Sequence, residues 1–240
     1  MERHTDYLTK RKIKPEYGTA VDHVSEPIKD KETIYKIHDW FLYNHKYRDN
    51  MMFMIGIYTG LRISDILNLK IRDVIDPVTL PERIYKVEMV LVEKKTRKKR
   101  IIHIHEKVSE AIELYLKTLP SWWICEADDY LFQPTDSPRY ASCMQAHQKP
   151  GHPIDDSSAA RAFNQPFEAL NINIKHGTHT MRKTFAYHVL TAVEDPIQRT
   201  RRLEVLQKMF NHSSPRITLE YAGITKEEVD SIYENLDYDL

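Results

Sequence analysis

Cysteine is nearly absent from this chain: Cys125 and Cys143 are the two in 240 residues, and no Cys-x-x-Cys pair occurs. That excludes a disulfide scaffold and points to a reducing, cytosolic compartment. Long apolar runs are also missing. A membrane helix needs about 20 such residues, and the longest run here is interrupted by Gly56 and Thr59. No apolar stretch follows Met1-Glu2-Arg3-His4, so the start does not read as a secretory signal. Internal repeats and low-complexity tracts are lacking too. What remains is an ordinary globular balance, 41% hydrophobic and 29% charged. The length suits one large domain or two small ones.

Net charge is the last absence: 35 basic residues meet 35 acidic ones. Such a total does not advertise a nucleic-acid binder. The distribution is less even. Residues 227–240 hold six acids and no Lys or Arg, which leaves the first 226 residues with an excess of six positive charges. Basic residues also cluster at Lys10–Lys14, Lys94–Arg100 and Arg199–Arg202. Clusters can bind phosphates in a neutral chain, although most charge runs are solvated faces.

Residues 1–27 are polar and without period, and read as a flexible arm or linker. Helical spacing follows over 30–47, 48–59 and 63–69. Residues 87–93 and 100–105 alternate around a basic loop, which predicts a β-hairpin. Further helices are expected over 107–119, 158–170 (with Pro166 a source of kinking), 180–193, 199–210 and 226–236. Tyr130–Phe132 reads as extended and 133–156 as loop. The fold class is therefore α+β: mainly α with a small antiparallel sheet. Asn211 tolerates a left-handed cap for the helix before it.

Several side chains suit work on an anion. Arg62 follows Gly60-Leu61 where a helix begins, so backbone N–H groups and a guanidinium fork would meet a phosphate together. Asp65 lies one turn on and can hold that guanidinium; a plain surface pair is the alternative. His179 and Arg182 are three apart and share a helical face. They join a group that titrates near neutral pH to one permanently charged. Lys95 sits in a hairpin tip among equally basic neighbours, Lys94, Arg97 and Lys98, and composition does not single it out. Tyr221 follows a loop, His212–Arg216. As a free phenol of pKa ~10 it needs activation before it can attack phosphorus. A metal site built on His176, His179 and His103 or His105 is a weak rival, because no carboxylate or Cys stands at ligand spacing.

Together these pieces resemble the tyrosine recombinase (phage integrase) family. Tyr58-Thr59-Gly60-Leu61-Arg62-Ile63-Ser64-Asp65 resembles its first signature box, and Lys95-Thr96 its catalytic lysine turn. His179-x-x-Arg182-Lys183-Thr184 resembles the second box. His212-Ser213-Ser214, with Tyr221 nine residues after His212, resembles the third box and nucleophile. The resemblance implies the catalytic-domain fold over 28–225 and a C-terminal helix and tail over 226–240 that can dock on a neighbouring subunit. It implies a 3′-phosphotyrosyl link at Tyr221, with Arg62 and Arg182 neutralising the phosphate. Lys95 would protonate the leaving oxygen, His179 exchange the phenol proton, and His212 hydrogen-bond the phosphate. Asp65 is expected to support them, with Lys94, Arg97, Lys98 and Lys183 on DNA.

The implied reaction uses no cofactor and no metal. The implied partners are duplex DNA with specific recombination sites, further copies of the chain forming a tetramer on DNA, and accessory DNA-bending or excision proteins. No membrane partner is expected, and the setting would be the cytoplasm of a bacterium carrying a phage or other mobile element. Residues 1–27 are too short for the helical core-binding domain of most integrases. That leaves three readings open: an integrase lacking its N-terminal part, a single-domain invertase or resolvase, and a DNA-binding fragment that is inactive alone. The third-box glycine is replaced by Asn211, and Arg97 stands where the hairpin turn often has glycine.

Overall fold

The computed structural model describes residues 25–80, 83–92, 99–123, 125–134 and 141–224. The expected C-terminal helix and the hairpin tip with Lys94, Lys95, Arg97 and Lys98 lie outside them. Helix α1 (Lys31–Tyr43) starts where the Asp30 carboxylate accepts from the Glu32 and Thr33 amides, and it buries Ile37 and Phe41. Helix α2 (Tyr47–Thr59) is apolar on nearly every side, with Met51, Met52, Phe53 and Ile55 fully buried, so it becomes the central post of the fold. Gly60 ends it with φ +61°, a left-handed conformation that suits glycine. A Cβ at that position would also lie 2.4 Å from the Phe185 ring.

Two short helices follow, α3 (Ile63–Leu67) and α4 (Ile71–Val74), then a single 3-10 turn at Pro77–Thr79. The hairpin pairs β1 (Glu88–Val92) with β2 (Lys99–His103), Val90 opposite Ile101. Only one face of it is covered: Met89 and Ile102 are buried, while Val90 and Ile101 are exposed. Helix α5 (Glu106–Leu116) then packs along α2.

The stretch expected as loop over 133–156 contains a short helix, α6 (Ala141–Gln145). Tyr130 is extended and makes a lone bridge to Lys70 instead of a strand. Helix α7 (Asp156–Ala169) runs through Pro166. Helix α8 (His179–Thr191) is followed by α9 (Pro196–Phe210), three residues longer at its start than the spacing predicted. Asp195 caps it and Pro196 occupies its first position, where proline has no amide bond to lose. The same device, Ser214 then Pro215, starts α10 (Pro215–Ala222), so Tyr221 rides on a helix that the apolar periodicity did not reveal.

Among the described residues the buried apolar side chains form two clusters. The larger includes Phe41, Phe53, Ile66, Ile112, Phe132 and Phe163. The smaller is built from Ala186, Leu190, Leu206, Phe210, Ala222 and Ile224. Helix α8 spans both, with Met181 in the first and Ala186 and Leu190 in the second. No helix among the described residues is long and apolar enough to cross a membrane.

Candidate active site

Five of the expected residues meet where the two clusters join. Arg62 is the residue before α3, held extended at φ −72° and ψ 148°. Its guanidinium Nη2 donates to the Phe210 carbonyl at 3.5 Å. Arg182, on α8, is only 3% exposed. Its Nη1 donates to the Gly60 carbonyl, and its guanidinium lies 3.8 Å from the centroid of the Phe210 ring. One arginine therefore rests on the main chain of Phe210 and the other on its ring. Phe210 carries no sequence signal of such a role beyond preceding Asn211, which caps α9 in the left-handed region as expected (φ +57°).

The nucleophile candidate completes the cluster. The Tyr221 hydroxyl is 3.4 Å from His179 Nδ1, and its ring meets those of Phe210 and His212 edge-on, centroids 5.6 and 5.3 Å apart. A separation of 3.4 Å is a long contact of the kind that tightens when a substrate arrives. Burial pushes the Tyr221 phenol above its ordinary value; Arg182, which also hydrogen-bonds it, and Arg62 oppose the shift. The resting phenol is thus neutral and needs a base. His212 is held below its ordinary value by burial first, then by Arg182 and Arg62. It is a neutral imidazole at pH 7, with Nδ1 3.0 Å from Oγ1 of the fully buried Thr218. Thr218 orients the ring from one turn before Tyr221, a role no spacing announced.

Asp65 is buried one turn into α3, and its amide donates to the Arg62 carbonyl at 2.9 Å. Lys183 corrects an expectation. The resemblance implies a place on DNA for it, but its Nζ donates to the Ser25 carbonyl at 2.5 Å. Its ammonium is engaged by the main chain at Ser25 and does not line the basic cleft beside the cluster. Helical spacing put it on α8, but it did not show that residues 25–28 cross over that face.

The rival metal set is scattered. The His176 ring stacks on Phe167 at 4.4 Å, His105 caps α5 and packs on Tyr58, and His103 lies on β2. Among the described residues no three His, Cys, Asp or Glu side chains gather as a metal site.

A cleft of about 510 Å³ opens beside the cluster, between the hairpin and the end of α9. Lys99, Arg100, His103 and Lys208 line it, together with Phe185 and Asn211. It holds none of the five clustered residues but adjoins them through Phe185, which packs on Gly60, and through Asn211, which precedes His212. Together the cluster and cleft place two guanidiniums, two imidazoles and one phenol at the edge of a basic groove. That set can bind a phosphodiester, balance added negative charge and move a proton from the phenol.

Known proteins resemble this chain in sequence and in fold. The family model described as phage integrase family matches residues 29–228. The probable integrase/recombinase YoeC of Bacillus subtilis (strain 168) is 32% identical over 212 residues, covering 88% of this chain and 97% of that protein. Tyrosine recombinase XerD of Staphylococcus epidermidis is 26% identical over 190 residues, covering 79% of this chain and 55% of XerD. The chain thus matches nearly all of one relative and about half of the other. Among solved structures, XerA recombinase superposes with a TM-score of 0.58 at 21% identity, over 90% of this chain and 68% of that one. XerH site-specific recombinase bound to a palindromic difH substrate, a post-cleavage complex, superposes with a TM-score of 0.61 at 17% identity, over 98% and 60%. These likenesses show the fold.

Proposed function

The chain belongs to the phage integrase family of tyrosine-type site-specific recombinases, and from that premise we propose that it cuts and rejoins DNA strands through a 3′-phosphotyrosyl link at Tyr221. The observation that carries the reading is the Tyr221 hydroxyl standing 3.4 Å from His179 in the cluster that holds Arg62 and Arg182. The phenol oxygen attacks a backbone phosphorus. A Tyr221–phosphorus bond forms and the bond to the 5′ oxygen breaks. His179 takes the phenol proton, and Lys95 supplies the proton that the departing 5′ oxygen needs. Arg62 and Arg182 hold the non-bridging oxygens as charge builds on them, the contribution that usually dominates such barriers. Neutral His212, fixed by Thr218, hydrogen-bonds the same phosphate. A 5′-hydroxyl of a partner duplex then reverses the steps. The bond energy is kept in the phosphotyrosine, so the scheme uses no nucleotide.

Integration or excision of a mobile element is the biological role proposed. Several copies would assemble on specific duplex sites, as a tetramer and with accessory DNA-bending proteins. The hairpin lysines and arginines would grip the backbone, giving binding that weakens steeply with salt.

Covalent trapping tests the scheme. A pool of labelled duplexes would carry a nick near each candidate scissile phosphate, so that the short fragment leaves after cleavage. The expected result is a denaturant-resistant protein–DNA adduct that disappears in Tyr221→Phe. A folded protein that binds DNA and yields no adduct on any member of the pool would overturn self-sufficient cleavage, and would favour a fragment that needs a further domain.

A further inference from the structure

Lys183 is a buried cation that the proposed chemistry does not use. Its Nζ meets groups of two kinds. One is the Ser25 carbonyl at 2.5 Å, and the other is the face of the Tyr221 ring, whose centroid is 5.1 Å away. That separation lies within the roughly 6 Å reach of a cation–ring attraction. Residues 25–29 form a strap that brings the Ser25 carbonyl there. The Ile28 amide donates to Thr184 Oγ1 at 2.9 Å, and His188 Nε2 is 3.0 Å from the Ile28 carbonyl, so the strap is fixed to α8 on both sides of one turn. It also touches the helix that carries the phenol. Lys29 Nζ donates to the Gly223 carbonyl at 3.4 Å, and Pro27 packs so closely that a Cβ on Gly223 would be 3.2 Å from Pro27 Cγ. Gly223 is the left-handed cap of α10, two residues after Tyr221.

We propose that Lys183 is a positioning residue for Tyr221: held by the Ser25 carbonyl of the strap, its ammonium fixes the phenol ring and favours the ionised form from the ring face. The inference rests on the reading of Tyr221 as nucleophile, and it adds a cation that approaches the ring and not the phosphate. Burial lowers the tendency of Lys183 to stay protonated, with Glu26 opposing, so the amine is costly to keep here unless it makes these contacts. Among the described residues, the other charged or titratable groups around the phenol are Arg62 before α3, His179 and Arg182 on α8 and His212 after α9. They act at the hydroxyl end or the ring edge.

The test uses 3-fluorotyrosine incorporated throughout the full chain and read by fluorine NMR, the Tyr221 signal being assigned by its loss in Tyr221→Phe. Fluorination lowers phenol ionisation toward pH values at which the protein stays folded. In Lys183→Met the Tyr221 signal should move and its ionisation midpoint should rise by about one pH unit, with Lys183→Arg restoring most of both. The trapping rate on nicked DNA should fall about tenfold at pH 7, and the deficit should narrow as pH rises. A folded Lys183→Met protein with an unmoved signal and midpoint overturns the proposal and leaves Lys183 as a clasp for the strap alone. If the methionine variant does not fold, Lys183→Gln, which keeps a donor to Ser25 without the charge, is read by the same two criteria. The NMR readout needs no DNA. A displaced midpoint in a protein that forms no adduct therefore sustains the positioning role while the nucleophile reading fails.

Discussion

The larger apolar cluster and the smaller one divide the site between them. Arg62 lies between Leu61 and Ile66 of the larger cluster, and Arg182 follows Met181 of the same cluster. Tyr221 and His212 belong to the other side, on and before a helix of eight residues that buries only Thr218 and Ala222. The two arginines proposed to hold the phosphate thus stand on the deep core, while the proposed nucleophile stands on a thin one, beside His212. Phosphate recognition needs a fixed geometry. A nucleophile that must approach, bond and later release gains from an element of lower local stability. Phe210 joins the sides: its carbonyl and ring carry the arginines, and its ring edge meets those of His212 and Tyr221.

The contrast is sharpest in catalysis. Arg182→Ala should slow covalent trapping by about 10²–10³-fold, as loss of one charge-stabilising donor does. The fold should be retained, because the larger cluster keeps its packing. A fall of less than tenfold would place the arginine outside the reaction. Next comes Phe210→Ala. Removing a fully buried ring costs about 3–5 kcal/mol in urea unfolding. Amide exchange should show the loss first in α10, with α2 still protected; simultaneous loss in both would mean that the two clusters open as one unit. Gly60→Ala is a smaller break. It forces a side chain into a left-handed conformation and against Phe185, and should cost about 1–3 kcal/mol while moving Arg182 with the carbonyl it holds.

A pH series separates the clusters more gently. His188 and His212 both have folded values below the ordinary 6.5, mainly through burial. Between the folded value and 6.5 the unfolded chain takes up protons that the folded chain refuses. Their stabilising contribution is therefore complete above about pH 6.5 and declines as pH falls below it. His188→Gln should flatten that slope in denaturant titrations at pH 5 to 7. Asn211→Gly is the mildest: glycine suits φ +57° at least as well, so stability should change by only a few tenths of a kcal/mol.

Much of this was legible in the residues. Asn211 announced a left-handed cap because few residues adopt that conformation cheaply. The hairpin followed from its alternation, and α1 from the spacing of Ile37 and Phe41. The signals for the first turn of α9 and for α10, Asp195-Pro196 and Ser214-Pro215, were also present. They were outweighed by polar surroundings, in which Ile197, Val205 and Ile217 are exposed. Contacts across long separations were not legible. Nothing near Lys183 tells that residues 25–28 cover it, nothing near His176 that Phe167 stacks on it, and nothing near Phe210 that two arginines use it.

The Gly60 carbonyl that receives Arg182 has a consequence for inheritance. The segments around 60 and 182 are read as separate signatures, yet one supplies the acceptor for the other's guanidinium and the space for its Phe185 ring. They are a single unit written in two places, 122 residues apart. A chimaera that takes residues 58–65 from a relative should have to take 179–186 from the same parent.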